Sequence, residues 1–124
     1  SLNVNCMYKT FTDMPIWQKA MDLAVKVFKI TTSLPKSEDY GLTSQIRRSA
    51  NSVSANLSEG FGRRTNRDKC KFYIIARGSA FEVQNHLLYG MKIEYFKKID
   101  VEHLIIEYND LIYDLNKLIK SLRN

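Results

Sequence analysis

Four polar side chains, Arg48, Ser52, Asn56 and Glu59, recur at steps of four, four and three. On a helix turning about 100° per residue they share one side, opposite the apolar set Leu42, Ile46, Ala50, Val53 and Leu57. An arginine and a glutamate with an amide and a hydroxyl between them have the groups for acid–base work. No nucleophile stands beside a base, however, and no Glu-x-x-His pair of the di-iron kind is present. Gly60-Phe61-Gly62 is too short to cradle a nucleotide phosphate. His86 and His103 have no cysteine nearby, and Cys6 and Cys70 belong to no paired motif. Neither a metal centre nor a disulfide is therefore expected. These residues point to binding rather than catalysis, without a cofactor.

Two uses remain for the polar stripe. Ordinary solvent faces are rich in Lys, Glu and Gln, whereas Ser49, Ala50, Ser52, Ser54, Ala55 and Ser58 make this helix small nearly all round. Small side chains admit a second helix, so Arg47, Arg48, Ser52, Asn56 and Glu59 are candidates for an interface or pocket network. Glu82 sits over Gly78 and Ser79 on the next helix and is placed to receive Arg47 or Arg48. Leaving a buried charge unpaired costs about 3–5 kcal/mol, so such a network would discriminate between partners. The alternative is a solvated face.

A second constellation is the run GRRTNRDKCK, whose Arg63, Arg64, Arg67, Lys69 and Lys71 are candidates for phosphate contacts. Eight basic residues fall between positions 42 and 78, opposed only by Glu59 and Asp68. Removing these from the totals of 19 basic and 13 acidic residues leaves eleven of each sign, so the whole net charge of +6 resides in the middle third. A positive surface of this kind suits nucleic acid or an acidic partner; the alternative is a solvated loop that keeps the chain soluble. Phe61 and Tyr73, beside these cations, offer only a weak version of an aromatic stacking platform.

Four helices must position these groups. Residues 1–13 have no helical period and read as an extended arm, with Tyr8 and Phe11 able to pin it to the bundle or to a neighbouring subunit. Met14-Pro15 opens the first helix, striped by Ile16, Ala20, Leu23, Ala24, Val27, Phe28 and Thr31 and stopped after Leu34 by Pro35. Ser37 caps the second, which Gly60 and Gly62 end. Thr65 or Asn66 caps the third, with Phe72, Ile75, Ala76, Ser79, Val83, His86, Leu87 and Gly90 inside and an end near Phe96. Asp100 caps the fourth, whose leucines and isoleucines from Leu104 to Leu122 run close to a heptad pattern. No segment reads as a strand. Short connections between long helices predict an all-α, antiparallel up-down-up-down four-helix bundle over residues 14–124, a single domain.

The chain has 124 residues, 44% hydrophobic and 26% charged, within the range of one globular domain. No apolar run approaches the roughly 20 residues of a membrane span, and no segment has the pattern of a signal peptide, so a cytoplasmic location without membrane contact is expected.

Trp17-Gln18-Lys19-Ala20, Leu34-Pro35, YGLTSQIRRSANSVSANLSEG and FYIIARGSAFEVQNHL follow in an order that resembles the bacterial 23S rRNA-intervening-sequence proteins. The resemblance covers about residues 11–122, with Arg47, Arg48, Ser52, Asn56, Glu59 and Gly60 at the family's positions and Gly78, Ser79 and Glu82 in a second block. The chain departs from the pattern at Ser49, Asn51, Ser54 and Ser58, where apolar or small residues and a proline are commoner; without that proline at Ser54 the second helix should be straighter. The resemblance implies a left-handed bundle assembled as a homopentamer. The chain is also similar to the accessory proteins of diversity-generating retroelements, basic pentamers that bind a reverse transcriptase and nucleic acid. The resulting expectation is a homo-oligomer that binds structured RNA; the alternative is a scaffold for an acidic protein partner without nucleic acid.

Overall fold

A computed structural model of the chain describes residues 7–123. Four helices account for most of them: α1 (Pro15–Thr31), α2 (Leu42–Phe61), α3 (Asn66–Lys92) and α4 (Lys98–Arg123), with short 3-10 turns at Phe11–Asp13 and Lys36–Glu38. Among the described residues there is no strand, and no helix is long and apolar enough to cross a membrane.

Contacts across the helix seams fix the direction of each pair. Between α2 and α3, Ser52 meets Ser79, Gly60 meets Tyr73, and Leu42 meets Gly90, so sequence rises on one helix as it falls on the other. Between α3 and α4, Cys70 reaches Ile119, Arg77 reaches Asn116, and Gln84 reaches Ile105 and Asn109. Lys19 pairs with Asp114 and Lys26 with Glu107 in the same sense between α1 and α4. All three seams are antiparallel, which leaves α1 and α2 antiparallel as well. The result is an up-down-up-down four-helix bundle.

The core is the sum of the apolar stripes. Leu23 and Val27 of α1 meet Ile46, Val53 and Leu57 of α2, Tyr73, Val83 and Leu87 of α3, and Tyr108, Leu111 and Leu115 of α4, all essentially solvent-free. Tyr8 and Phe11 of the arm pack against this core, and Phe11 meets Trp17 edge to face with ring centroids 5.2 Å apart. Residues 1–6 of the arm, Cys6 included, lie outside the described residues.

Several boundaries differ from the sequence reading. α1 ends at Thr31, three residues early, and Thr31 Oγ1 donates to the carbonyls of Val27 and Phe28. α2 begins at Leu42 rather than near Ser37, because Glu38 caps it from a distance: one carboxylate oxygen accepts from Leu42 N at 3.1 Å. The other accepts from Tyr95 Oη at 3.0 Å, a bond that holds the Tyr95 phenol above its ordinary pKa. Gly60 does not stop α2; it lies inside the helix, bare because Tyr73 occupies the space where its Cβ would be. α3 stops at Lys92, not Phe96. Glu94 takes a left-handed φ of 67°, which turns Phe96 back onto Gly90, whose carbonyl accepts from the backbone nitrogens of Tyr95 and Phe96. On α3, Ile75 faces outward and Phe72 is half-buried, while Lys69, Cys70, Tyr73 and Ala80 are buried in addition to the expected Ala76, Ser79, Val83, Leu87 and Gly90.

Candidate nucleic-acid interface

The basic run forms the corner where α2 turns into α3. Gly62 closes α2, its nitrogen donating to Ser58 O and Glu59 O. Thr65 opens α3, its hydroxyl accepting from Asp68 N at 3.1 Å. Only four residues separate the two helices, so the cations between and just after them are held to a small volume.

The five candidates take up different positions. Arg63 lies toward α2, its guanidinium carbon 4.6 Å from the centre of the Phe72 ring and its Nη2 3.7 Å from Glu59 Oε1. Arg64 and Arg67 are exposed and make no hydrogen bond or ion pair with the described residues. Lys71 is exposed and only loosely held, its Nζ 3.9 Å from Asp68 Oδ1. Lys69 is a correction to the sequence reading: it is buried, and Nζ donates to the carbonyls of Phe61 at 2.8 Å and Gly60 at 3.4 Å. It neutralises the negative C-terminal end of α2 and does not present a charge to phosphate. The structure brings a sixth cation to the corner. Arg123, from the end of α4, joins Arg67 and Lys71 around one cleft.

The aromatic rings here are already occupied. Phe72 lies under Arg63, and Lys69 Nζ lies 5.8 Å from the centre of the Phe61 ring. They orient cations rather than offering free faces to bases.

The second set of candidates divides between two seams and the outer face of α2. Ser52 Oγ and Ser79 Oγ are 2.9 Å apart, and Asn56 Nδ2 donates to Ser52 O and Oγ at 2.8 and 2.9 Å. These groups knit α2 to α3. Arg47 turns the other way, toward α1: Nε donates to Thr31 Oγ1 at 2.8 Å, and the guanidinium carbon lies 4.2 Å from the centre of the Phe28 ring. That contact explains a phenylalanine left 53% exposed. Arg48 and Glu59 point outward, Arg48 without a partner among the described residues and Glu59 only loosely with Arg63. Glu82 does not receive either arginine; its Oε2 lies 3.5 Å from His86 Nε2, one turn along α3. Within a single chain the groups therefore form a Ser52–Asn56–Ser79 cluster and separate outward charges. Among the described residues no three His, Cys, Asp or Glu side chains gather to hold a metal ion.

The family model described as 23S rRNA-intervening sequence protein matches residues 12–117, nearly the whole bundle. The chain belongs to this family. A solved structure with the same fold is a protein of unknown function from the S23 ribosomal protein family of Bacteroides thetaiotaomicron. The two share 22% identity with a TM-score of 0.76, over 85% of this chain and 98% of that one. At that identity the likeness establishes the fold alone. No curated protein matches the sequence. Neither the family description nor that structure names an activity, so a functional reading rests on the corner and faces described above.

Proposed function

We propose that this chain is a non-enzymatic, cytoplasmic, homo-oligomeric protein that binds structured RNA, or another nucleic acid, through the cations of the α2–α3 corner. The observation that carries the reading is the set Arg64, Arg67 and Lys71, exposed at and just after a tight turn, with only the loose Lys71–Asp68 ion pair among the described residues. Uncompensated cations at one corner attract a polyanion over a distance of roughly 8–10 Å at ordinary ionic strength. The cation-covered rings of Phe61 and Phe72 favour contact with phosphate over contact with bases, so binding would be largely indifferent to sequence.

Self-association draws on other surfaces. Ile99, Ile106 and Tyr113 recur every seven residues on the outer side of α4, 55, 59 and 65% exposed. Phe81 and Leu88 on neighbouring α3 are also exposed, and so are Ser44, Asn51 and Ala55 on the small-sided back of α2. Repeated outward apolar residues at heptad spacing suit coverage by another chain. A homopentamer is the assembly that the family resemblance implies. In it, outward-facing Arg48 and Glu59 would find partners across the interface.

The test is a titration of labelled generic duplex RNA at increasing salt, on protein whose mass is measured by light scattering. Micromolar or tighter binding at low salt, weakening steeply as salt rises, supports the reading. Absence of binding at low salt refutes it and favours a scaffold for an acidic protein partner; a monomeric mass refutes the assembly.

A further inference from the structure

A cleft of about 390 Å³ lies where the start of α3 meets the end of α4, lined by Arg67, Cys70, Lys71, Ile74, Leu122 and Arg123. Its composition differs from that of two other clefts of the bundle. The cleft beside the arm contains Asp114 with Lys117, and that between α1 and α4 contains Asp100 and Glu107 with Lys26 and Lys29. This one has three cations on its rim and, among the described residues, no carboxylate in its lining. Cys70 and Leu122 are buried and Ile74 half-buried, so the floor is apolar. The nearest acidic group on α3 is Asp68, which meets Lys71 at 3.9 Å from outside the lining.

Two consequences follow from elementary electrostatics. Like charges converge from separate helices, two from the first turns of α3 and one from the last turn of α4, and neither Arg67 nor Arg123 has a counter-ion among the described residues. Holding them together is unfavourable unless an anion comes between them. A low-dielectric floor beneath a rim of one sign also focuses the field into the cleft rather than letting water dissipate it.

We infer that this cleft seats a backbone phosphate of the bound nucleic acid, with Arg67, Lys71 and Arg123 around the anion and Ile74 and Leu122 beneath the sugar. The inference rests on the function proposed above and adds a definite place and a residue, Arg123, that lies far from the basic run in sequence. The bound strand would then wrap from the α2–α3 corner across the start of α3 to the end of α4. Arg63, held by Phe72 and Glu59 and absent from the cleft lining, would contribute less than Arg123 does.

The test compares the full chain with Arg123→Ala, Arg123→Lys and Lys92→Ala, titrating a labelled generic duplex RNA at several salt concentrations. Lys92 is an exposed cation at the far end of α3, so its removal controls for net charge alone. Arg123→Ala should weaken binding about tenfold and lower the slope of log affinity against log salt by about one, the signature of one lost phosphate contact. Arg123→Lys should keep the slope, and Lys92→Ala should change it little. Equal effects of Arg123→Ala and Lys92→Ala would overturn the cleft. If Arg64→Ala weakens binding while Arg123→Ala does not, the corner reading survives and the cleft alone fails. If the unaltered chain does not bind at low salt, both fail together.

Discussion

Replacing Lys69 by methionine separates structural from functional charge at the corner. The methionine keeps an unbranched stem in the same buried space, so the apolar contribution changes little. The losses include the bond from Nζ to Phe61 O at 2.8 Å, the weaker one to Gly60 O at 3.4 Å and the ammonium contact with the Phe61 ring. Gly60 O keeps the Arg63 backbone nitrogen at 3.1 Å, so the larger loss is at Phe61. A hydrogen bond from a charged donor contributes about 1.5–3 kcal/mol, and release of a buried ammonium offsets part of that. The net expectation is destabilisation of about 1–2 kcal/mol, or a fall in the urea midpoint of roughly 0.5–1 M at a typical slope. Urea unfolding followed by circular dichroism at fixed protein concentration measures it. RNA affinity and its salt slope should be unchanged under native conditions. An unaltered midpoint together with a salt slope reduced by about one would refute the argument, because Lys69 would then be a phosphate contact after all.

Two glycines in helix interiors should respond oppositely to alanine. At Gly60 the new Cβ would lie 2.6 Å from Tyr73 Cε1, so Gly60→Ala should destabilise by roughly 1–2 kcal/mol despite the better helix propensity, whereas at Gly78 nothing lies within 4 Å. Gly78→Ala should therefore stabilise an isolated chain by about 0.5–1 kcal/mol, with thermal melting as the measurement for both. Tyr108 is buried, its hydroxyl has no partner among the described residues, and burial raises its pKa well above the ordinary value. Tyr108→Phe should be neutral or stabilising by about 1 kcal/mol at pH 7. The raised pKa also means that the unfolded chain loses the proton first. Its contribution is fully present below pH about 10 and falls by as much as about 1.4 kcal/mol per pH unit above that; Tyr108→Phe should flatten the stability profile there, as measured by denaturant titrations between pH 9 and 11.

The bundle was legible because each helix carries an apolar stripe at steps of three and four, and because Pro15 and Thr65 mark helix starts by well-understood chemistry. The boundaries that moved depend on tertiary contacts. Glu38 caps α2 with one oxygen while Tyr95 holds the other, and Gly60 leaves inside the helix the space that Tyr73 fills. A cap four residues before its helix and a glycine required by a distant ring leave no local signal. Lys69 was readable in principle: Tyr73, Ala76 and Ala80 follow it at four, seven and eleven residues, so it shares their inward face. Its place in a run of cations concealed that period. Arg123 lies more than fifty residues beyond Arg67, and only the antiparallel α3–α4 seam brings them to one cleft. The four residues of the α2 stripe do not act together: Ser52 meets Ser79 on α3 and holds Asn56 along α2, while Arg48 and Glu59 stay outward.

The central claim is that the exposed cations after Gly62 hold phosphates, and the change in salt dependence on removing them tests it most directly. Arg64, Arg67 and Lys71 changed together to alanine should leave the helical spectrum and the native mass intact. The slope of log affinity against log salt for generic duplex RNA should then fall by about three relative to the unaltered chain. A slope that does not change would contradict the account and place any RNA contact elsewhere on the bundle.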